Sequence, residues 1–386
     1  MRAAAASVIV LAVLSPVACG EDAEPVPRDE SKARVVKNLD VYHEEGRFAG
    51  WPANHGAWSW GNEILVGFEA GYFKKKLAGH AIDYDKPAEH VLARSLDGGE
   101  TWTIERPPGL RPPAGEMVAG VPTGEGGKPL TDCPGGIDFT DPGFALTARM
   151  TSIDAGQSRF YYTLDRGKTW SGPYRIPDFD QPGTAARTDY LVNGKHDLTM
   201  FLTVAKSNGK EGRVICVRTR DGAKTWTMEG FVGPEPEGRD YSIMPSSVRL
   251  SGGRILTMVR HRKFIDAYVS DDDGQTWQYL NRPAPVLGGN PPSLVRLEDG
   301  RLALTYGYRL KPYGICARLS TDEGKTWGDE IVLREDGGNW DLGYTQTVQR
   351  PDGKMVTVYY YNLDADTERF IGATIWDPGD ASARGE

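Results

Sequence analysis

One eight-residue pattern, Ser/Thr-x-Asp-x-Gly-x-Thr-Trp, occurs five times in this sequence, at intervals of about 50 to 70 residues. Its aspartate can accept hydrogen bonds from the amides of a hairpin turn, its glycine can adopt a positive φ, and its tryptophan can pack between neighbouring sheets. We therefore interpret these aspartates as structural. The copies span residues 95–102, 163–170, 219–226, 270–277 and 320–327, and the third has Ala223 in place of the glycine.

A second pattern, two hydrophobic strands joined by a glycine-containing turn, precedes the repeats. It is clearest in residues 245–258 and 292–306, and residues 52–66 and 345–358 also fit it. These two strands, a third that leads into the turn motif and a fourth after it make one propeller blade. The pattern predicts an all-β fold, a six-bladed β-propeller of four-stranded antiparallel blades. Its units begin near residues 50, 137, 187, 242, 290 and 344.

The last unit lacks the turn motif and ends at residues 371–376. We expect residues 35–42, near the N-terminus, to complete its sheet, because a closed ring leaves no open sheet edge. The predicted propeller covers residues 34–376, and a loose tail follows at 377–386.

The first residues resemble an export signal. Arg2 precedes an apolar run, 3–17, that is too short to span a bilayer, and Cys19 follows. We predict a signal peptide at 1–19, a flexible linker at 20–33, and a protein exported to the periplasm, the cell surface or the medium. The residues around Cys19 resemble a bacterial lipobox, so a lipid anchor at this cysteine is one alternative and plain secretion is the other.

Charge and cysteine usage exclude several classes of protein. The formal net charge of −8 disfavours nucleic acid or an anionic membrane surface as a partner. Beyond Cys19 there are three cysteines, without metal-ligand spacing, and Cys216 and Cys316 lie in apolar strand-like segments. We expect buried thiols and no disulfide framework. The sequence contains no nucleotide-binding loop, and we expect neither a cofactor nor a metal.

The inner strands of a propeller all start around one mouth of its central channel, so equivalent positions of successive units converge there. The expected strand starts are rich in polar residues, and so are the ends of the second strands. A polar mouth with charges of both signs suits a sugar better than an apolar cofactor. The residues at these positions are Asn54, His55, Glu69, Asp138, Asp141, Arg187, Asp189, Tyr190, Lys206, Asp240, Tyr241, Arg260, His261, Arg262, Asn290, Arg309, Asp341 and Tyr344.

The turn motif resembles the Asp-box, or BNR repeat, of the sialidase (neuraminidase) superfamily, and the chain resembles a divergent bacterial member of it. This resemblance implies arginines that bind a substrate carboxylate, an aspartate that acts as acid and base, and a tyrosine nucleophile activated by a glutamate. A phenol suits that role because a charged carboxylate nucleophile would be repelled by the carboxylate on the anomeric carbon of sialic acid.

Three residues match the family at particular positions. Tyr344, in segment 343–346, resembles the nucleophile at the start of the family's last blade. Arg260 ends the second strand of its unit and resembles the family's second arginine, and Arg309, one unit later, resembles the third. The resemblance implies that these arginines bind the substrate carboxylate, and a guanidinium can do so through two parallel hydrogen bonds.

The family has its acid in the insertion between the second strand of the first blade and the first Asp-box. Asp85 stands in that insertion, and Asp83 is the alternative. Gly50 occupies the position of the family's first arginine, and Arg47 is the nearest substitute. The literal Tyr-Arg-Ile-Pro motif at 174–177 follows the second Asp-box on an outer strand, so we do not include it in the site.

Met244 occupies the position of the glutamate that activates the family's tyrosine. Because the pKa of a free phenol is near 10, losing this base disfavours catalysis unless another carboxylate replaces it. The alternatives are Asp240, Glu237 and Asp189.

We predict an exo-glycosidase of sialidase type that hydrolyses a terminal sialic acid or a related acidic sugar from glycans. Two alternatives remain open: a non-catalytic propeller that binds glycans or proteins, and a glycosidase or lyase for another acidic sugar. The predicted catalytic residues are Tyr344 and Asp85. The predicted substrate-binding residues are Arg260, Arg309, Arg47, His55, Asn54 and Asp240, of which His55 is alternatively a structural histidine or an acid–base group.

Overall fold

The computed structural model describes residues 34–76, 79–115, 117–118, 121–122, 126–154, 156–286 and 288–379. The expected signal peptide and linker, Cys19 and the tail beyond residue 379 lie outside these residues. Export, the lipid anchor and the domain boundaries therefore stay predictions. No helix of the described part of the chain is long and apolar enough to cross a membrane.

Six antiparallel sheets form the blades, numbered here in chain order, and they confirm the expected all-β propeller. Blade 1 contains Arg47–Gly50, Ala57–Trp60, Glu63–Tyr72, Glu89–Ser95 and Thr103–Glu105. Blade 2 contains Ala145–Met150, Ser158–Thr163 and Ser171–Arg175, and blade 3 contains Thr184–Ala185, Tyr190–Gly194, Asp197–Ala205, Glu211–Thr219 and Thr227–Val232.

The last three blades each have four strands. Blade 4 contains Ile243–Arg249, Ile255–Arg260, Ile265–Ser270 and Gln278–Ala284, and blade 5 contains Pro292–Arg296, Leu302–Tyr308, Tyr313–Ser320 and Ile331–Gly337. Blade 6 contains Gly343–Gln349, Met355–Tyr361, Phe370–Asp377 and the N-terminal Arg34–Tyr42. Outside the blades lie the two-stranded pair Met117–Val118 and Val121–Pro122, the α-helix Pro52–His55 and the 3₁₀ turns Pro108–Leu110 and Ser251–Gly253.

The inner strands of the first three blades are irregular. Helix Pro52–His55 divides the inner strand of blade 1 into two segments. Blade 2 has three strands, because residues 137–143, at its inner edge, form local turns. There the carboxylates of Asp138 and Asp141 accept hydrogen bonds from amides two residues further on, at 3.0 and 2.7 Å. Such side-chain bonds replace the hydrogen bonds of a sheet.

The N-terminal strand closes the ring. Arg34–Tyr42 is the outer strand of blade 6 and runs antiparallel to Phe370–Asp377, as the sequence predicts for residues 35–42. The hydroxyl of Thr374 adds a hydrogen bond of 2.8 Å to Oδ1 of Asn38. Blade 6 therefore contains strands from both ends of the propeller.

The hydrophobic core lies between neighbouring blades. In strand Glu63–Tyr72, Leu65 belongs to a buried cluster with Trp170 of blade 2, whereas Val66 belongs to a cluster with Val356 of blade 6. Successive side chains of a strand point to opposite faces of the sheet. One strand thus contributes to two interfaces, which explains its nearly continuous run of buried residues.

Each Asp-box joins the last two strands of its blade through one carboxylate. Asp272 accepts hydrogen bonds from the amide and the hydroxyl of Thr276, at 2.8 and 2.6 Å, and from the hydroxyl of Ser270 at 2.9 Å. Nε1 of Trp277 donates to the carbonyl of Gly274 at 2.9 Å. These hydrogen bonds, first those from Thr276, lower the pKa of Asp272.

Cys216 and Cys316 are buried, as expected. Cys216 packs directly against an Asp-box, because a Cβ placed on Gly274 would lie 2.3 Å from its Sγ. Burial raises the pKa of the Cys216 thiol, so the reactive thiolate is disfavoured. Its role is to fill space between blades 3 and 4.

Replacing the Asp-box carboxylate should destabilise the fold. We expect Asp272→Ala to lower the free energy of unfolding by about 1 to 2 kcal/mol, because three turn donors lose their acceptor. Since folding depresses the pKa of Asp272, its contribution is present above pH 4 or so and is lost as the pH falls. Urea unfolding at neutral and acid pH measures both effects. Asp271→Ala, at the exposed neighbouring position, is the control, and an equal loss there would contradict the assignment.

Candidate functional site

The site is built at the break in the inner strand of blade 1 and where the inner strands of blades 4 and 6 begin. Trp51, Met244 and Tyr344 have φ values of 60°, 52° and 53°, in the left-handed region that residues other than glycine rarely adopt. At Met244 and Tyr344 the register with the second strand also shifts. A bulge of this kind redirects a side chain, and here the ring of Tyr344 turns into the mouth of the channel.

The side chain of Asn290 fixes the bulge at Tyr344. Its Oδ1 accepts a hydrogen bond from the amide of Tyr344 at 2.8 Å, and its Nδ2 donates to the carbonyl of Leu342 at 2.9 Å. Only glycine fits between them, because a Cβ on Gly343 would lie 2.3 Å from Nδ2 of Asn290. A buried amide in blade 5 thus determines where the phenol of blade 6 projects.

A pocket of about 220 Å³ opens at this mouth. Strand starts, strand ends and the insertion of blade 1 all contribute to it, as expected for a propeller mouth. Its walls are aromatic, and its polar groups carry both charges. The polar and aromatic lining residues are Trp51, Asn54, His80, Tyr84, Arg187, Glu211, Tyr241, Arg260 and Tyr344.

Arg260, buried at the end of the second strand of blade 4, contacts the phenol directly. Its Nη1 donates a hydrogen bond to the hydroxyl of Tyr344 at 3.0 Å, and its Nη2 donates to the hydroxyl of Tyr241 at 3.4 Å. Sδ of Met244 lies 3.2 Å from the same Nη1. Among the described residues, no carboxylate forms a hydrogen bond with the Tyr344 hydroxyl.

Arg309 lies behind the phenol. Its guanidinium carbon is 5.4 Å from the centre of the Tyr344 ring. Its N–H groups donate to the carbonyls of Leu342 and Gly289, at 3.0 and 3.3 Å, and to the hydroxyl of Tyr360 at 2.8 Å. These contacts fix Arg309 as a positive charge beside Tyr344.

The arginines change the acidity of the phenol. Burial acts to raise the pKa of Tyr344, but the charges of Arg260, Arg309 and Arg187 outweigh burial, and the pKa is lowered from its usual value. The hydrogen bond from Arg260 acts in the same direction, because it stabilises the phenolate. The site thus stabilises the phenolate more than water does, although no carboxylate of the described residues is bonded to the phenol.

Arg187 brings a second guanidinium into the pocket. Its Nε donates to Oδ1 of Asn54 at 3.3 Å, and its Nη2 lies 2.7 Å from Oε1 of Glu211. Asn54, one of the predicted binding residues, lines the pocket from helix Pro52–His55. The lining contains two guanidinium groups, those of Arg187 and Arg260, and one carboxylate, that of Glu211. Its net charge is therefore positive, and the pocket favours an anionic ligand.

The insertion of blade 1 contributes a histidine that is bonded to a buried carboxylate. Nδ1 of His80 lies 2.5 Å from Oδ1 of Asp341. Oδ2 of Asp341 accepts hydrogen bonds from the amide of Ala81 and Nε of Arg369, both at 3.0 Å. Burial acts to raise the pKa of Asp341, but His80 and Arg369 hold it well below its usual range. The pair fixes the orientation of the imidazole and leaves its Nε2 for another partner.

Asp85 and Asp83 lie in the same insertion but do not line the pocket. Oδ2 of Asp85 is 2.8 Å from Nζ of Lys74, and the Asp85 side chain is 84% exposed. Oδ1 of Asp83 is 3.0 Å from the same Nζ. Tyr84, between them, faces the pocket. The acid role of Asp85 stays a prediction, and in this conformation Lys74 binds both carboxylates.

Three other predicted binding residues lie apart from the phenol. Arg47 pairs with Glu89 at 3.1 Å and lines a different cavity. Asp240 has a 70% exposed side chain and pairs with Arg262 at 3.3 Å. His55 is buried within blade 1, behind the pocket. The structure therefore brings together Tyr344, Arg260, Arg309 and Asn54 from the predicted set.

The proposed substitutes for the missing base also lie elsewhere. Asp189 is buried and accepts hydrogen bonds from the amide and hydroxyl of Ser247, at 3.1 and 2.8 Å. Burial raises the pKa of Asp189 to about 7. Glu237 is exposed. Neither lines the pocket that contains Tyr344.

No sequence pattern gives a role to His80, Tyr84 or Glu211, and the repeat places Arg187 at the mouth without indicating a function. The position of Arg187 at the start of its unit was the available signal. For His80 the only signal was its place in the insertion that contains Asp85. Its contact with Asp341 joins residues 261 positions apart, which no local pattern reveals.

Comparisons with known proteins agree with this architecture. The model of the family described as BNR repeat-like domain matches residues 145–358. The sequence matches none of the curated proteins with which it was compared.

Three solved structures are similar. A Dyadobacter fermentans protein of unknown function is 22% identical with a TM-score of 0.69, over 90% of this chain and 99% of that chain. A Trypanosoma rangeli sialidase is 13% identical with a TM-score of 0.53, over 83% of this chain and 54% of that one. A Penicillium chrysogenum alpha-L-arabinanase complexed with arabinobiose is 14% identical with a TM-score of 0.55, over 89% and 98%.

At these identities the solved structures establish the fold and not the activity. The family model, in contrast, matches more than half of the sequence. The chain belongs to the BNR repeat-like domain family and has a sialidase-like six-bladed propeller.

Proposed function

We propose that this protein is a retaining exo-glycosidase that removes a terminal acidic sugar, a sialic acid or a related one, with Tyr344 as its nucleophile. One observation supports this more than any other: Arg260 donates a hydrogen bond of 3.0 Å to the Tyr344 hydroxyl inside an open, positively charged pocket. A tyrosine with a purely structural role would need neither an arginine bonded to its hydroxyl nor a place in the wall of an open pocket.

Arg260 and Arg187 are the groups that would bind the substrate carboxylate. Both line the pocket, and guanidinium groups bind carboxylates with directional, charge-assisted hydrogen bonds. Arg309 is bonded to protein groups on all three of its nitrogens. We therefore give Arg309 the task of stabilising the phenolate rather than of binding the sugar.

Tyr344 would act without the glutamate that the sialidase pattern places at Met244. The nearby guanidinium charges lower its pKa, so a larger fraction is phenolate at a given pH than in a free tyrosine. The phenolate is the stronger nucleophile. Electrostatic stabilisation thus takes the place of proton removal by a carboxylate.

His80 is the group best placed to act as acid and base. It lines the pocket, and Asp341 fixes its ring through Nδ1. In the first step the phenolate attacks the anomeric carbon, the glycosidic bond breaks, and protonated His80 gives its Nε2 proton to the leaving oxygen. In the second step neutral His80 takes a proton from water, whose oxygen displaces Tyr344 and releases the sugar with retained configuration.

A second candidate is a glycan-binding propeller without catalysis. The contact between Met244 and Arg260 favours it, because a thioether at 3.2 Å from Nη1 cannot accept a proton from the phenol. Equilibrium binding of an acidic sugar with no turnover of any aryl glycoside would support this alternative. An unsaturated product, detected by its ultraviolet absorbance, would instead indicate a lyase for a uronic-type sugar.

Removing the phenol oxygen should abolish turnover while binding remains. We expect Tyr344→Phe to lower kcat for an aryl sialoside, or for an aryl glycoside of another acidic sugar, by about 10³-fold or more. Calorimetry with the free sugar should show affinity close to that of the wild type, because Arg260 and Arg187 are intact. Tyr241→Phe, in the same pocket, is the matched control. Turnover in Tyr344→Phe at the wild-type rate would overturn the proposal.

The choice between His80 and Asp85 as the acid can be tested with two leaving groups. We expect His80→Asn to slow hydrolysis of an alkyl glycoside by about 10²- to 10⁴-fold, and that of a nitrophenyl glycoside much less, because the latter needs no protonation. Asp85→Asn should change neither rate. The opposite pattern, with the loss in Asp85→Asn, would assign the acid to Asp85.

The pKa of Tyr344 should depend on Arg260. In Arg260→Leu the pKa of Tyr344 should rise, because one charge and one hydrogen bond to the phenolate are lost. The pH–rate profile should then move to higher pH. Titration of ¹³C-labelled tyrosine, with Tyr344→Phe to assign the signal, measures the shift. Arg262→Leu, at an exposed arginine nearby, is the control. An unchanged pKa in Arg260→Leu would contradict this role of Arg260.

A further inference from the structure

Blade 1 contains three ionisable side chains buried together behind the pocket. His55 ends the helix Pro52–His55, Glu69 lies in the second strand, and His90 lies opposite Glu69 on the third strand. A Cβ on Gly67 would come within 2.8 Å of Cβ of His55, so glycine lets this histidine lie flat on the strand. The backbone thus brings two imidazoles and a carboxylate to one place.

These side chains are buried, and several of their polar atoms have no hydrogen-bond partner. His55 and Glu69 are each 1% exposed and His90 is 7% exposed. Nδ1 of His55, Oε1 of Glu69 and both ring nitrogens of His90 form no hydrogen bond. A buried polar atom left unpaired is energetically unfavourable. Four such atoms in one cluster indicate a ligand common to them.

The distances and the donor set fit a metal ion. One ligand atom from each of the three residues lies within 4.8 Å of the others. Two ligands at about 2.1 Å from an ion are at most about 4.2 Å apart, so small side-chain rotations close the site. Two imidazoles and one carboxylate form a donor set typical of Zn²⁺ and of Fe²⁺.

Arg149 of blade 2 is another buried group with unpaired polar atoms. Its side chain is 3% exposed and its Nη1 donates to the carbonyl of Ala148 at 2.8 Å, but its Nε and Nη2 have no partner. It lines the same small cavity as His55 and Glu69. A water or small anion bound to the ion would accept hydrogen bonds from these nitrogens. The same water or anion would lie between the positive guanidinium of Arg149 and the positive ion and would reduce their repulsion.

We propose that His55, Glu69 and His90 bind one divalent transition-metal ion of the Zn²⁺ type, and that Arg149 binds the water or anion that completes its coordination. The site is independent of the proposed glycosidase activity, since none of the three ligands lines the pocket of Tyr344. Asn54 and Met150 line both cavities, so the ion would support the wall of that pocket.

Metal binding by the full chain, without a histidine tag, tests the proposal. The protein is treated with chelator and then dialysed against Zn²⁺ or Co²⁺. We expect one equivalent of metal per chain by elemental analysis, visible d–d absorption with Co²⁺, and a Tm that rises with metal concentration. A folded wild-type chain that takes up no stoichiometric metal would overturn the proposal, whatever its glycosidase activity.

Variants identify the ligands. Glu69→Gln and His90→Gln should each weaken Co²⁺ binding by about 100-fold or more, since each removes one of three ligands. His196→Gln is the matched control, because His196 lies in blade 3 and bonds to the carbonyl of Ile137 at 2.8 Å. Equal loss in His196→Gln, or full affinity in folded Glu69→Gln, would contradict the assignment. If the buried variants do not fold, the wild-type stoichiometry still decides the question.

Discussion

The hydrogen bonds between the Asn290 side chain and the backbone around Tyr344 are the interaction on which the site depends. A tyrosine with φ near 53° is conformationally unfavourable, at a cost of about 1 to 3 kcal/mol, and persists because its surroundings fix it. The amide of Asn290, from the neighbouring blade, provides that restraint at both Leu342 and Tyr344. The geometry of the pocket is therefore a property of the ring, because a single blade cannot supply it.

The charges of the nearby arginines then determine the acidity of the Tyr344 phenol. In the proposed mechanism the arginines replace a carboxylate base. Either group increases the fraction of phenolate, but an arginine does so by stabilising the negative charge, whereas a carboxylate removes the proton. This arrangement explains how Met244 can stand where the sialidase pattern has a glutamate. In the proposed mechanism Arg260 has two tasks, because it contacts the phenol and would also bind the anionic substrate.

The architecture was predictable from the sequence because each Asp-box is a local structure, closed by hydrogen bonds between residues at most four positions apart. The positions of Arg260 and Tyr344 followed from their places at strand ends. The contacts of His80 with Asp341 could not be predicted, because they depend on how a long insertion folds over the mouth. The position of Glu69 opposite His90 could not be predicted either, because it depends on the register between the two strands that the insertion connects.

The sixth blade has a consequence for biosynthesis. Among the described strands, its outer strand is made first and its partner, Phe370–Asp377, is made last. Until translation of the described chain is nearly complete, the segment that closes the ring has no strand to pair with, and a sheet edge stays open to other chains. Loss of either of these two strands would therefore leave the same sheet edge of blade 6 unpaired.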